Sequence, residues 1–412
     1  MHVESITSSL ITTMLSPAEY ARYGRQLILP DFGRDAQERL KYARLLVIGA
    51  GGLGCPAIQY LAAAGVGTLP LTGHIAVVDN DVVEMNNLAR QILHAESRIG
   101  MPKVHSIAES VRECVSVLTS INPLVHVEPI CESFSAANAQ SLVGRYDLVL
   151  DCTDNVMTRY LISDAAVLCD KPVVSAAAQG YDGQLVVLHK QLDNGLYGPC
   201  YRCLFPRPPR PEHTQSCEDG GVIGCITGLL GTMQATEAIK LISRVGSSAS
   251  APTMTFVSPF SPVPFRHVRI RPQQRTCRVC GDERNITNLT EEDYVSFCAI
   301  APPESFFPAV RLAPEAIEMH HGSLVDVRPP HEYKLTHILG SVNVPIDDVR
   351  RDAKGSLARL QGPHVTLICR RGNDSREAAR LLGEVSDENW SFDDVEGGLR
   401  AYARAYPAFP MY

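Results

Sequence analysis

The segment 43–65 limits the possible folds more than any other part of the chain. A short continuous apolar run ends in the turn Gly49-x-Gly51-x-x-Gly54, and an alanine- and leucine-rich helical pattern follows. This order predicts a buried parallel strand, a tight turn and a helix. Glycines at these spacings let the backbone approach a phosphate, whose negative charge a helix N-terminus favours. On its own, the motif fits a nicotinamide or flavin dinucleotide as well as another nucleotide.

The rest of the chain predicts two α/β domains. The further elements predicted near the glycine turn are a helix at residues 103–118 and strands at residues 75–79, 148–151 and 172–176. Strands that alternate with helices predict a doubly wound, Rossmann-like sheet, which we assign to residues 1–300. Residues 301–313 are rich in proline without a clear period, which is typical of a linker. A second and smaller α/β pattern occupies residues 314–412.

Composition excludes several classes of function. The 412 residues include 38 lysines and arginines against 45 aspartates and glutamates, a formal net charge of −7, so we expect no direct nucleic-acid binding. The apolar runs end before about 18 residues, so we expect no membrane span. Cysteine occurs 13 times, an odd number, and residues 1–15 lack the pattern of a secretory signal. We therefore expect a cytoplasmic protein whose cysteines are metal ligands, nucleophiles or core residues.

Charged residues around the glycine turn narrow the choice of nucleotide. Asp79 ends the next predicted strand, where it suits ribose hydroxyls. Arg25, Arg90 and Lys103 offer positive charge, and Asp154 offers a carboxylate for a divalent cation. This set suits a triphosphate with Mg²⁺ better than a hydride carrier.

Three motifs together resemble the ThiF/MoeB adenylyltransferases, relatives of the ubiquitin-activating enzymes. They are Gly-x-Gly-Gly-Leu-Gly, Asn-Leu-x-Arg-Gln and Asp-Cys-Thr-Asp-Asn, and the resemblance covers residues 15–281. The resemblance implies that Arg25 reaches ATP across a homodimer interface and that Asp154 holds Mg²⁺. The ATP contacts that it implies are Gly52, Asp79, Asn86, Asn87, Leu88, Ala89, Arg90, Lys103, Asp154 and Asn155. Between Gly67 and Val78 the chain is longer than in the family, and we expect a surface loop there.

Two Cys-x-x-Cys pairs predict a structural zinc site. Cys200 and Cys203 form the first pair, and Cys277 and Cys280 form the second. Four thiolates in two such pairs suit one tetrahedral Zn²⁺. The pairs are far apart in the chain, so the ion would join distant segments. A redox function of the pairs is the alternative, and the zinc site also resembles that of the family.

Cys217 is a candidate nucleophile. It lies in a polar, glycine-rich approach to a helix, Cys-Glu-Asp-Gly-Gly-Val-Ile-Gly. Its position matches the cysteine that attacks the acyl-adenylate in sulfur-transferring and ubiquitin-activating relatives, which implies a thioester or acyl-disulfide role. Seven further cysteines are interpreted as packing residues: Cys55, Cys114, Cys131, Cys152, Cys169, Cys225 and Cys298.

Cys369 is a second candidate nucleophile. It follows a buried strand and begins the loop Cys-Arg-Arg-Gly-Asn-Asp-Ser before a helix. Inward N–H groups and the helix N-terminus are expected to lower the thiol pKa. A cysteine phosphatase would place an arginine six residues after the cysteine, where this chain has Ser375. The loop instead resembles that of the rhodaneses, which implies that Cys369 carries a persulfide.

The order of the two domains predicts the function. It resembles that of the eukaryotic adenylyltransferase–sulfurtransferases of tRNA wobble-uridine thiolation and molybdopterin synthesis. The resemblance implies that the C-terminal glycine of a ubiquitin-like sulfur carrier ending in Gly-Gly is adenylated and then converted to a thiocarboxylate. An upstream desulfurase or sulfurtransferase would supply the sulfur. Two alternatives remain at this point, an NAD-dependent oxidoreductase with a regulatory rhodanese domain and an inactive scaffold that binds a ubiquitin-like protein.

Overall fold

The computed structural model describes residues 15–69, 73–112, 121–192, 195–208, 221–246, 251–298, 310–319 and 322–411. The chain divides into two compact units, Met1–Ile300 and Ala301–Tyr412.

The first unit is a layered α/β structure. Its helices are α1 (Pro17–Leu27), α2 (Gly33–Tyr42), α3 (Gly54–Ala63), α4 (Lys103–Arg112), α5 (Ala139–Gly144), α6 (Val156–Leu168), α7 (Tyr201–Leu204), α8 (Gly224–Ser243) and α9 (Tyr294–Cys298). Its strands are β1 (Arg44–Ile48), β2 (His74–Val78), β3 (Val127–Ile130), β4 (Leu148–Asp151), β5 (Val173–Gln179), β6 (Asp182–Leu188), β7 (Thr253–Val257) and β8 (Phe265–Arg269). Short 3₁₀ turns occur at Met85–Asn87, Glu96–Arg98 and Leu289–Glu291.

The eight strands form one sheet in the order β3-β2-β1-β4-β5-β6-β7-β8. β1 to β5 pair in parallel, whereas β5 to β8 pair antiparallel. The strand order reverses between β1 and β4, which is where open α/β sheets bind their ligands. The doubly wound, Rossmann-like fold predicted from the sequence is confirmed, with an added antiparallel edge.

The sheet is covered on both faces, which explains its apolar strands. Leu45 and Val47 of β1 belong to the core shared with α3, α4 and α8. Leu46 and Ile48, which alternate with them, belong to the core shared with α5 and α6. A strand buried on both faces has no polar alternation, so its sequence reads as a continuous apolar run.

The second unit is a smaller α/β structure. Its strands β9 (Arg311–Leu312), β10 (Ser323–Asp326), β11 (Val342–Asn343), β12 (His364–Ile368) and β13 (Ser391–Val395) pair in parallel in the order β11-β10-β12-β13-β9. Its helices are α10 (Pro330–Leu335), α11 (Ile346–Arg351), α12 (Ala353–Leu357), α13 (Asp374–Gly383) and α14 (Gly398–Ala405), with a 3₁₀ turn at Pro314–Met319. Strand β9 pairs with β13 and lies at residues 311–312, inside the segment 301–313 that the sequence predicted as a linker. Over the described residues, every helix is too short or too polar to cross a lipid bilayer.

Candidate functional site

The glycine turn between β1 and α3 is packed too tightly for side chains. Gly49 has a φ of +103°, in the region that favours glycine, and a Cβ there would lie 2.7 Å from the carbonyl oxygen of Cys152. A Cβ on Gly54 would lie 2.1 Å from the carbonyl oxygen of Gly49. The turn therefore presents bare backbone at the N-terminus of α3, as anion binding requires.

A cavity of about 330 Å³ opens in front of this turn. It lies at the carboxyl ends of β1, β2 and β4, where the strand order reverses. Seven of the predicted ATP contacts line it: Gly52, Asp79, Asn87, Arg90, Lys103, Asp154 and Asn155. Residues separated by about a hundred positions in the sequence thus share one concave surface.

Asp79 is held directly against the glycine turn. One carboxylate oxygen accepts a hydrogen bond from the N–H of Ala50 at 2.7 Å, and the other accepts from the N–H of Asp81 at 2.8 Å. Each oxygen keeps a free lone pair that can accept from a ribose hydroxyl. Asp79 therefore stabilises the turn and also lies where it can accept a hydrogen bond from the ribose of a nucleotide.

Two cations of the cavity are positioned by oxygens nearby. Lys103 is the first residue of α4 and is only 7% exposed, and its Nζ lies 2.8 Å from a carboxylate oxygen of Asp81. Arg90 Nη1 donates to the carbonyl of Asn86 at 3.1 Å. A buried ammonium with one exposed carboxylate partner can exchange that partner for phosphate oxygens with little rearrangement.

The start of α6 supplies the acidic side of the cavity. Asn155 is the N-cap of this helix, and its side-chain oxygen accepts from the N–H of Thr158 at 3.2 Å. Asp154 precedes it, is exposed and lines the cavity. An accessible carboxylate in the same cavity as the glycine turn fits the oxygen ligands that Mg²⁺ prefers.

Four predicted residues do not line the cavity within one chain. Asn86, Leu88 and Ala89 lie outside its lining, although the carbonyl of Ala89 packs against the first residue of α8. Arg25 is exposed in the last turn of α1 and lies outside the lining of the cavity, so its contact with ATP across a dimer interface stays a prediction. Cys217 lies outside the described residues.

The cavity also has lining residues that the sequence analysis missed. Thr227 lies one turn inside α8, and its side chain is within 3.2 Å of where a Cβ on Gly52 would be. Arg159 of α6 donates to the carbonyls of Thr153 and Ala176 at 2.7 and 3.2 Å. Arg159 follows Asn155 by one helical turn, a spacing that could have indicated it.

A buried histidine is hydrogen-bonded to the backbone of the glycine turn. His94 Nε2 lies 3.1 Å from the carbonyl of Ala50, and Nδ1 lies 2.9 Å from the hydroxyl of Ser106. Burial lowers the pKa of His94, and the neutral ring satisfies both contacts by donating to the carbonyl and accepting from the hydroxyl. Burial likewise raises the pKa of the neighbouring Cys55 thiol to about 12, so Cys55 is a packing residue.

The four cysteines of the two Cys-x-x-Cys pairs meet in one buried cluster. All four sulfur atoms lie within 4.8 Å of one another. The distances from Cys200 to Cys203, Cys277 and Cys280 are 3.7, 3.5 and 3.4 Å. Four thiolates around Zn²⁺ at about 2.3 Å would be separated by about 3.8 Å, so the cluster fits a tetrahedral zinc ion.

The four-cysteine cluster is connected by hydrogen bonds to α6, the helix that begins at the cavity. Between the first two cysteines, the N–H of Tyr201 donates to Ser163 Oγ at 2.9 Å. Arg202 forms a buried ion pair with Asp164, with nitrogen–oxygen distances of 2.8 to 3.0 Å. Tyr294 also donates to Asp164 at 2.9 Å. The cluster thus fixes the middle of a helix whose first turn lines the cavity.

Cys369 lies at the end of β12 in the second unit and is fully buried. Its sulfur accepts from the N–H of Gly372 at 3.0 Å and lies 3.4 Å from the hydroxyl of Ser375. Burial raises the pKa of the Cys369 thiol, and the hydrogen bonds from Ser375 and the backbone of Arg371 only partly oppose it. The predicted lowering of this pKa is therefore wrong for the resting thiol, because the sequence does not show how deeply the sulfur is buried.

The other cysteines divide by exposure. Cys55, Cys152 and Cys298 are buried, as expected of packing residues, and Cys169 is partly buried. Cys131 and Cys225 are exposed, so their interpretation as packing residues is wrong. Cys114 lies outside the described residues.

Comparisons with known proteins match both units. The ThiF family model matches residues 23–279, and the rhodanese-like domain model matches residues 312–405. The chain is 39% identical over 433 residues to the adenylyltransferase and sulfurtransferase uba4 of Aspergillus terreus, covering 96% of this chain and 87% of that protein. It is 41% identical over 417 residues to the adenylyltransferase and sulfurtransferase MOCS3 of Drosophila persimilis, covering 97% of this chain and 87% of that protein.

A solved structure shares the fold. The crystal structure of PaaA aligns with a TM-score of 0.50 at 20% sequence identity, covering 64% of this chain and 77% of that chain. At this identity the likeness concerns the fold alone.

Proposed function

The chain belongs to the ThiF family and carries a rhodanese-like domain, and on that premise we propose that it converts the C-terminus of a ubiquitin-like sulfur carrier to a thiocarboxylate. Its activities are those of an adenylyltransferase and a sulfurtransferase, as in its relatives. One observation carries the proposal. A single chain combines a nucleotide-sized cavity beside a bare glycine turn with a buried thiol that accepts a backbone N–H.

The cavity supports the adenylation step. A terminal carboxylate oxygen of the carrier attacks the α-phosphorus of ATP, the bond from that phosphorus to the bridging oxygen breaks, and pyrophosphate leaves. Arg90 and Lys103 offset the negative charge that develops on the phosphates. Gly52 lets the backbone approach the phosphates, and Asp79 accepts from the ribose. When bound at Asp154, Mg²⁺ would neutralise charge on the leaving group.

The sulfur steps follow from the two candidate nucleophiles. The Cys217 thiolate attacks the acyl-adenylate, which forms a thioester and releases AMP. The terminal sulfur of a persulfide on Cys369 then attacks the thioester carbonyl, which forms an acyl disulfide and returns the Cys217 thiol. A thiol, either Cys217 or an external one, attacks the Cys369 sulfur, releases the thiocarboxylate and leaves a disulfide for an external thiol to reduce.

Partners and cofactors follow from the same chemistry. We propose an upstream desulfurase or sulfurtransferase as sulfur donor, because forming the persulfide consumes a sulfur atom that the chain itself does not supply. We propose a homodimer, in which Arg25 of one subunit would contact the ATP bound by the other subunit. We assign Zn²⁺ a structural role at the four-cysteine cluster, and a reducing cytoplasmic location suits free nucleophilic thiols. Thiolation of tRNA wobble uridine and molybdopterin synthesis are the proposed uses of the product.

The decisive experiment is ATP–pyrophosphate exchange with a ubiquitin-like protein ending in Gly-Gly. We expect exchange that requires the carrier and disappears when the carrier lacks its last two glycines. Lys103→Ala should slow exchange by about 10²- to 10³-fold. Cys369→Ala should leave exchange unchanged and abolish thiocarboxylate, measured by mass spectrometry of the carrier.

Three results would contradict the proposal. Exchange without any carrier would show that a carboxylate other than the carrier's is adenylated. No exchange with any Gly-Gly carrier in zinc-loaded protein would favour the nicotinamide or scaffold alternative. Loss of exchange in Cys369→Ala would show that the two chemistries are not divided as proposed.

A further inference from the structure

The loop that follows Cys369 directs N–H groups toward the sulfur, while several of its carbonyls are hydrogen-bonded on the side away from the sulfur. At the N-terminus of α14, the N–H of Leu399 donates to the carbonyl of Cys369 at 2.8 Å, and the N–H of Arg400 donates to the carbonyl of Arg370 at 3.1 Å. A peptide unit whose carbonyl is held on one side presents its N–H on the other side. The loop therefore depends on partners outside itself.

The third outward carbonyl, that of Gly372, is bonded to a side chain. Arg311 Nη2 donates to it at 3.0 Å. Gly372 has a φ of +83°, which only glycine adopts without strain, and its own N–H donates to Cys369 Sγ at 3.0 Å. The Gly372 carbonyl and the Gly372 N–H belong to neighbouring peptide units that are joined at the Gly372 Cα. Holding the carbonyl restricts the rotation between these two units, so it helps to keep the backbone of Gly372 in the conformation in which its N–H meets the sulfur.

The guanidinium of Arg311 is itself fixed. Its Nε and Nη2 contact the two carboxylate oxygens of Asp394 at 3.3 and 3.1 Å. Asp394 is fully buried, and Glu396 lies 3.9 Å from Nη1. Arg311 and Asp394 are direct partners of the β9–β13 pairing. The two contacts with one carboxylate fix the orientation of the planar guanidinium. A lysine ammonium in its place could not be oriented in this way.

We propose that Arg311 is a positioning residue for sulfur chemistry at Cys369, which it serves by holding the Gly372 carbonyl while Asp394 holds the guanidinium. The inference rests on the proposed function, in which Cys369 carries the persulfide. The proposed effect of Arg311 on the sulfur passes through the backbone of Gly372. Arg311 helps to hold Gly372 in the conformation in which its N–H points at the sulfur, where that N–H stabilises a thiolate or the thiolate leaving group of a persulfide.

The test compares Arg311→Gln with Arg311→Lys in the full-length protein. Arg380→Gln is the matched control, because Arg380 also pairs with a carboxylate, Glu384, is similarly exposed and lies on α13. Alkylation of Cys369 by iodoacetamide, followed on its peptide by mass spectrometry from pH 6 to 10, gives the thiol pKa. Thiosulfate–cyanide sulfur transfer gives kcat and KM separately.

We expect Arg311→Gln to raise the Cys369 pKa by about one unit and to lower kcat about tenfold with little change in KM, which corresponds to one lost hydrogen bond. Arg311→Lys should be intermediate, because lysine keeps the charge but not both contacts. Arg380→Gln and ATP–pyrophosphate exchange should be unaffected. If Cys369 pKa and kcat stay unchanged in Arg311→Gln, the proposal is overturned.

Unfolding of the second unit is detected separately, because Trp390 is the single tryptophan of the chain and lies in that unit. If Arg311→Gln shifts its urea transition so far that the unit unfolds, Arg311→Lys decides, and wild-type pKa and kcat in that variant would overturn the proposal. The alkylation measurement requires no sulfur transfer. It therefore tests the positioning role even if Cys369 carries no persulfide.

Discussion

The ion pair between Arg202 and Asp164 gives a prediction whose size can be worked out from its burial. Arg202 is 4% exposed and Asp164 is not exposed at all. Removing one partner of such a pair leaves a buried uncompensated charge and costs about 3–5 kcal/mol. Arg202→Met keeps much of the side-chain volume, so we expect the free energy of unfolding of the first unit to fall by that amount. The hydrogen bond from Tyr294 to Asp164 places the expected value toward the lower end.

Arg278→Met is the matched control. Arg278 pairs with Glu292 at 2.9 Å through both terminal nitrogens, and it is adjacent to a cysteine of the four-cysteine cluster, as Arg202 is. Its side chain is 45% exposed, so solvent screens the pair and its loss should cost about 0–1 kcal/mol. Both arginines contact Glu292, but only Arg202 is buried, and only Arg202 pairs with the fully buried Asp164 and lies over the rings of Tyr160, Tyr294 and Phe297. A double variant, Arg202→Met with Asp164→Asn, should recover a large part of the loss, because it leaves no buried charge.

The assay is urea unfolding of the full-length protein with two signals. Circular dichroism reports both units, and Trp390 fluorescence reports the second unit, which should not respond to Arg202→Met. Zinc release to a chromophoric chelator, measured in native buffer, should be faster in Arg202→Met and unchanged in Arg278→Met. If the two single variants lose equal stability, the reasoning from burial is refuted.

Further predictions concern the cavity. Burial lowers the pKa of His94, so as pH falls below the unfolded value of about 6.5 the unfolded chain binds the proton first and stability is lost. His94→Gln should therefore reduce the loss of first-unit stability between pH 7 and 5, measured from urea midpoints, and an unchanged slope would contradict this. Gly54→Ala places a Cβ 2.1 Å from the Gly49 carbonyl and should weaken binding of a fluorescent ATP analogue at least tenfold, whereas wild-type affinity would show that the turn can open. Asp154→Asn should raise the Mg²⁺ concentration needed for half-maximal exchange about tenfold, and an unchanged requirement would remove Asp154 from the metal site.

The parallel strands and the cavity could be predicted because their signals are local. Strand β1 is apolar from Leu45 to Ile48, where both its faces are buried, and the glycine turn follows it directly. Strand β8 gave no such signal. All five of its residues, Phe265–Arg269, are exposed at the edge of the sheet, so burial selects no pattern there.

The rest of the site depends on packing that no local motif records. Thr227 reaches the cavity because α8 crosses α3, a contact between segments far apart in the chain. Arg311 meets Gly372 for the same reason, through the pairing of β9 with β13. The pKa of Cys369 was predicted with the wrong sign because the loop's hydrogen bonds can be expected from sequence, whereas complete burial of the sulfur cannot.

The four-cysteine cluster has a topological consequence. Its ligands come in two pairs, Cys200 with Cys203 and Cys277 with Cys280, so a bound metal ion closes residues 203–277 into a ring. A single peptide-bond cleavage inside this ring would leave the two fragments joined through the metal. The fragments also share the β6–β7 pairing and the core of the first unit, so they should separate only when a chelator is combined with enough urea to disrupt that packing. Cleavage outside the ring leaves no such link, so chelator-dependent separation would locate a cut relative to the cluster without sequencing either fragment.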